Sequence, residues 1–163
     1  MPTLRTLANW QLQSAKQGNE KAQINLGFAY YKGNGVEKNI PEAIKWLKIP
    51  AERGNANIQL YLGTIYSDGG GVAQDHKSAS DWYRKSAERG NTLAQYFLSL
   101  NYANGKGVPK DYELAYMWAN IAAAQNDQKA IELRATLEKT MTPKQIAEGQ
   151  SLSRNWKPKK EAE

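Results

Sequence analysis

Residues 51–90 read AERGNANIQLYLGTIYSDGGGVAQDHKSASDWYRKSAERG, and the stretch closes on the same AERG that opens it, so Ala51 pairs with Ala87 and Gly54 with Gly90 at a step of 36. Working outward, that step carries Trp10 to Trp46, Trp82 and Trp118, and Ala15 through Ala51 and Ala87 to Ala123. It carries Leu26 to Leu62 and Leu98, Tyr30 to Tyr66 and Tyr102, and Ala43 to Ala79 and Ala115. Gly33-x-Gly35-Val36 returns as Gly69-x-Gly71-Val72 and Gly105-x-Gly107-Val108. So many matches at one step exclude coincidence and make the chain an internal repeat.

The unit has a physical reading. Gly54 and Gly90 follow helix-forming runs, WLKIPAER and WYRKSAER, where glycine closes a helix in the left-handed conformation. Asn19, Asn55 and Asn91 come next and suit the N-cap of a first helix. Ile58-Leu62-Tyr66 and Ala94-Leu98-Tyr102 recur at i, i+4 and i+8 as its apolar stripe. Small Gly27, Gly63 and Ser99 beside that stripe admit a second helix at close range. After the Gly-x-Gly-Val turn, Asn39, Asp75 or Asp111 caps the second helix, whose inward face carries Ala43, Trp46 and Leu47, then Ala79, Trp82 and Tyr83, then Ala115, Trp118 and Ala119. A lone hairpin of this kind leaves its apolar faces open, so neighbouring units must stack.

The expected architecture is all-α: an α-solenoid of three antiparallel helix pairs, at about 15–50, 51–86 and 87–122. Residues 3–17 read as an N-terminal half-repeat, a second helix without its first. Capping helices follow at about 127–156, the last opened by the capping box of Thr142-Pro143-Lys144-Gln145 and running to about Trp156. Residues 1–157 form one domain, and 158–163 are expected to be a flexible tail. Pro50 falls inside a second helix where the sister copy has Ser86, which predicts a kink or a tightened last turn.

Composition narrows the function classes. The 163 residues are 40% hydrophobic with five Trp and nine Tyr, a folding composition, and no segment approaches the ~18 apolar residues of a membrane span. There is no cysteine and a single histidine, His76, expected to be exposed on its helix. That excludes thiol chemistry, a histidine dyad and a histidine–cysteine zinc site, so no catalytic residue, metal or cofactor is expected and the chain reads as a non-enzyme. Each Gly-x-Gly turn follows a helix and recurs at the repeat step, which makes it a turn and not a nucleotide loop. The charge of +6 favours an acidic partner, but Lys and Arg form no dense stripe, so no nucleic acid is expected. The N-terminus has no apolar leader core, which implies a cytoplasm, or a periplasm had a leader been removed upstream.

The pattern A-x-x-G-N-x-x-A-x-x-x-L-G-x-x-Y-x-x-G-x-G-V, followed by D-x-x-x-A-x-x-W-x-x-x-x-A, resembles the Sel1-like repeat family, relatives of tetratricopeptide repeats. Ala15–Gly54, Ala51–Gly90 and Ala87–Asn126 carry the resemblance, which covers about residues 7–156. The ending AYMWANIAAAQ, then MTPKQIAEGQSLSRNW, is similar to the terminal helices of bacterial members. The resemblance implies a protein–protein adaptor in a bacterial cell, with the alternative, from some small bacterial members, of an immunity protein that binds and neutralises a secreted toxin. A cysteine-rich subgroup was once linked to β-lactam binding and hydrolysis, and this chain has none of its disulfide cysteines.

By analogy with tetratricopeptide repeats, a monomer of this kind holds a peptide or protein on the concave side, at first-helix positions off the core stripe. Those are Lys21, Ile24, Phe28, Tyr31 and Lys32 in the first unit, and Asn57, Leu60, Thr64, Ser67 and Asp68 in the second. Leu93, Tyr96, Leu100, Ala103 and Asn104 are the third set. Their identities change between units while the core stays fixed, and aromatic members are the usual hot-spot types. Ile24, Leu60 and Tyr96 have a competing role in sealing one first helix against the next. Gln23, Gln59 and Gln95 repeat at the step and are assigned to structure.

Overall fold

The computed structural model describes residues 4–160, with the side chains of 4, 5, 7 and 8 excepted. Among the described residues there are nine α-helices and no strand: α1 Leu4–Lys16, α2 Glu20–Lys32, α3 Ile40–Glu52, α4 Ala56–Asp68, α5 His76–Glu88, α6 Thr92–Asn104, α7 Tyr112–Ala123, α8 Gln128–Glu138 and α9 Pro143–Asn155. The pairs α2–α3, α4–α5 and α6–α7 pack as hairpins, and α1–α2, α3–α4 and α5–α6 join one hairpin to the next. This is the expected solenoid. Residue 3 of the expected first helix and residues 161–163 of the expected tail lie outside the described residues.

Local chemistry repeats with the helices. Asn19, Asn55, Asn91 and Asp127 accept the N–H three residues on and start the first helices, while Asn39, Asp75 and Asp111 do the same for the second helices. The backbone N–H of each second-helix cap donates to the carbonyl of the repeated tyrosine, Asn39 to Tyr30, Asp75 to Tyr66 and Asp111 to Tyr102, at 2.9–3.0 Å. Gly54 and Gly90 take positive φ, and at the next step Asn126 does so too, at +64°. Asparagine is the non-glycine residue that enters this region most readily, so the turn survives the loss of its glycine.

Close approach follows the small residues. A Cβ placed on Gly27 would meet the Leu47 side chain at 2.6 Å, and one on Gly63 would meet the Tyr83 ring at 2.5 Å. In the third unit Ser99 is buried and its hydroxyl donates to the Ala115 carbonyl at 2.6 Å. Between units, Gly107 of the loop lies against the His76 backbone at the start of α5, where any side chain would collide.

The seams between units hold a buried polar ladder. Gln23, Gln59 and Gln95 donate Nε2 to the carbonyls of Ala15, Ala51 and Ala87. Two of their Oε1 atoms are met from the segment that closes the same hairpin: Arg53 Nη1 donates to Gln23 Oε1 at 3.4 Å, and Gln125 Nε2 to Gln95 Oε1 at 2.8 Å. In the middle copy Gln59 Oε1 and Arg89 Nη1 are both buried without a partner and border one cavity of about 260 Å³.

Three expectations need correction or refinement. Trp10 holds the repeat register but is 64% exposed, because tryptophans at this position pack backwards onto the preceding hairpin and α1 has none among the described residues. Its sister Trp46 is half-buried, and Trp82 and Trp118 are buried. His76 is half-buried, not exposed. Pro50 is fully buried inside an unbroken α3, and the tight closing bond there, Gly54 N–H to Ala51 O at 3.1 Å, recurs without proline at Gly90 and Ala87, at 2.9 Å. The tightened end belongs to the repeat.

At the far end α9 begins with the expected capping box and ends at Asn155. It lies against α7, its main neighbour, with Gly149 fitted to Tyr116 and Trp156 edge-on to Trp118 at 5.7 Å. Beyond it, Lys159 of the expected tail touches the body: its N–H donates to the Glu88 carbonyl at 2.7 Å, and its ammonium pairs with the Glu88 carboxylate.

Candidate functional site

The first helices α2, α4 and α6 turn Ala22 and Leu26, Ile58 and Leu62, and Ala94 and Leu98 inward. Residues off that stripe stand in rows at the repeat step, and the structure sorts them by exposure. Lys21, Lys32, Asn57, Asp68, Leu93 and Asn104 are exposed, Leu93 at 40%. Ile24, Phe28, Tyr31, Leu60, Thr64, Ser67, Tyr96, Leu100 and Ala103 are half-buried.

The half-buried members are shared between packing and surface. Phe28 and Tyr31 from α2 both meet Tyr61 of α4 edge-on, with centroids at 4.7 and 5.4 Å. Such pairs contribute about 0.5–1.5 kcal/mol beyond burial. Burial, with the nearby Tyr31 adding to it, pushes the Tyr61 hydroxyl up to about 12. Ile24 packs on the core between the first two units, Leu60 on the next core, and Tyr96 on Ala122, Ala123 and Ala130. Tyr96 also neighbours Phe97 at 5.5 Å, and Phe97 stacks on Tyr83 at 5.1 Å. The sealing role weighed for Ile24, Leu60 and Tyr96 therefore operates.

Polar members are engaged locally. Thr64 donates to the Leu60 carbonyl at 3.2 Å, the Ser67 carbonyl accepts from Gln74, Asn104 donates to the Leu100 carbonyl, and Asn57 accepts from Asn91. Burial raises the Tyr83 hydroxyl, partly offset by hydrogen bonding with Thr64 and Ser67. The four ion pairs of the described residues use Lys45–Glu42, Lys77–Asp81, Arg84–Asp81 and Lys159–Glu88, which leaves Lys21 and Lys32 without a carboxylate.

Sequence reasoning missed Tyr61 and Phe97, each the centre of an aromatic group, Tyr61 with Phe28 and Tyr31, and Phe97 with Tyr83 and Tyr96. The signal was present: they stand one repeat step apart at a position occupied by Asn25 in the first unit. Among the described residues no group of three or more His, Cys, Asp and Glu could hold a metal, and no helix is long and apolar enough to cross a membrane.

The model of the Sel1 repeat matches residues 20–55, 58–91 and 92–127. The chain belongs to the Sel1 repeat family. Each match begins at or just inside a first helix and runs to the N-cap of the next, Asn55, Asn91 or Asp127. A Sel1 repeat protein from Oxalobacter formigenes has a similar structure, with TM-score 0.69 and 39% identity over 77% of this chain and 95% of that one. So does c5321, a protective antigen of uropathogenic Escherichia coli with an SLR fold, with TM-score 0.60 and 31% identity over 91% of this chain and 40% of that one. The cysteine rich protein B of Helicobacter pylori, at 20% identity and TM-score 0.60, shares the fold. In sequence, 34 residues are 53% identical to sel1-like repeat-containing protein L18 of Acanthamoeba polyphaga mimivirus, 21% of this chain and only 6% of that relative's length. Sel1 repeats generally serve as scaffolds for protein–protein interaction and are typically non-catalytic modules.

Proposed function

We propose that this chain is a non-catalytic module that holds a peptide or protein surface along the first-helix face. One observation carries the reading: a fixed scaffold presents side chains that differ from unit to unit, with the aromatic group of Phe28, Tyr31 and Tyr61 on the same first helices as the unpaired cations Lys21 and Lys32 of α2. Aromatic anchors beside exposed cations suit a partner segment with apolar side chains and acidic flanks. The overall charge of +6 assists encounter with it.

The test uses exposed positions, because Phe28 and Tyr96 also support packing. The triple variant Lys21→Glu, Lys32→Glu and Leu93→Asp is expected to lose the partner that the unaltered chain retains in affinity capture with quantitative mass spectrometry, while its melting temperature stays the same. Retention of that partner by a folded variant removes the face assignment. A secreted toxin among the retained proteins, with growth rescued on co-expression, would turn the general reading into the immunity one.

A further inference from the structure

The C-terminal ends of α5, α7 and α9 converge beside the extended segment that follows α9. Trp156 caps α9 with extended backbone, Pro158 lies against Gly90, and Lys159 is fastened to Glu88. Helix ends and strap together border an open cleft of about 560 Å³, within the range of small-molecule sites.

Its chemistry is uneven in an informative way. Ile121, Ala124, Trp156 and Pro158 supply apolar wall, and no carboxylate lines it. The neutral polar groups are already engaged: Asn120 accepts from Arg134, Gln125 bridges Thr92, Gln95 and Ile121, and Ser153 donates to Gly149. Arg154 has no hydrogen bond or ion pair from its side chain among the described residues, whereas the guanidinium of Arg89, also on the wall, is packed against Gly54 with its unpartnered Nη1 buried in the seam and not open to the cleft.

Converging helix C-termini repel an anion. Here that effect is blunted, because terminal carbonyls of α5 and α7 are taken: Ser86 and Ala87 by the following turn, Glu88 by Lys159, and Asn120, Ala122 and Ala123 by the cap of α7, while on α9 the Ser153 carbonyl accepts from the Trp156 N–H. A full charge on Arg154 then outweighs what remains.

We propose that this cleft binds a small amphiphilic anion, its flat or chain-like apolar body against Ile121, Ala124, Trp156 and Pro158 and its carboxylate or sulfonate at Arg154. The site is separate from the first-helix face and does not depend on its role. The probes are 1-anilinonaphthalene-8-sulfonate and its uncharged counterpart N-phenyl-1-naphthylamine, which share their rings and differ in the sulfonate. The full chain is expected to bind the sulfonate one-to-one and more tightly than the neutral probe, with amide shifts gathered at residues 120–125 and 153–159. Arg154→Gln should weaken the sulfonate about fivefold, as expected for one exposed charge-assisted contact, and leave the neutral probe unchanged. Ala124→Glu, at an exposed helix end, should abolish sulfonate binding in a folded protein. Equal affinity for the two probes, indifference to Arg154→Gln, or amide shifts gathered elsewhere, such as around Trp10, would each overturn the proposal.

Discussion

Trp82 and Trp10 stand at the same place in the repeat, yet Trp82 is buried between two hairpins with Lys85 over its ring at 4.3 Å, and Trp10 faces solvent. Trp82→Ala should therefore cost about 3–5 kcal/mol in urea unfolding, and Trp10→Ala less than ~0.5 kcal/mol. Comparable losses at both sites would show that the two indoles share an environment. Tyr61 adds a pH dependence. Its folded value of about 12 lies above the ordinary 10, so the stability it contributes is complete below pH 10 and is lost as pH rises from 10 to 12. Tyr83 and Tyr116 are raised as well and act in the same direction. Tyr61→Phe should make the decline across that window shallower in urea titrations, and an unaltered slope would count against the shift. Periodicity made these residues comparable, but it could not say which copy has a neighbour. That is why the register places Trp10 and Trp82 alike while only Trp82 has a hairpin to pack on.

Between helices, glycine spacing was the informative signal. Gly63 was readable as a point of close approach, and the structure supplies the Tyr83 ring that occupies it. Gly63→Ala should destabilise by about 1–3 kcal/mol through overpacking, whereas Gly70→Ala, with nothing within 4 Å of the new methyl, should change unfolding little. Equal effects in denaturant melts would deny the close contact. The interaction rows were legible in register and only partly in character. The step placed Phe28, Tyr31 and Tyr96 on the first helices, but the ring of Tyr61 that half-covers two of them comes from a variable position. The capping box of α9 could be read from Thr142 and Gln145. Its seat on α7 could not, since Gly149 and Tyr116 have no fixed spacing in the repeat.

Across the whole molecule the two ends are treated differently: α1 leaves Trp10 bare, and α9 with its strap covers Tyr116 and Trp118. Removing residues 142–163 should cost about 3 kcal/mol and lower the melting temperature by ~6–12 °C, as for loss of one large core contact. Melting within a degree or two of the full chain would show that α9 seals nothing. The Lys159–Glu88 clasp joins residues 71 apart, and no local pattern announces such a pairing. The glutamine ladder has a wider consequence. Each buried amide donates to the carbonyl of the alanine eight residues before it, and two of the three are also met by a side chain from the segment that closes their own hairpin, Arg53 for Gln23 and Gln125 for Gln95. Descendants of this gene can therefore grow or shrink by whole repeats and keep every rung, whereas an insertion of any other length inside a seam would strand an amide in the dark interior. Length, for a protein joined in this way, changes in quanta.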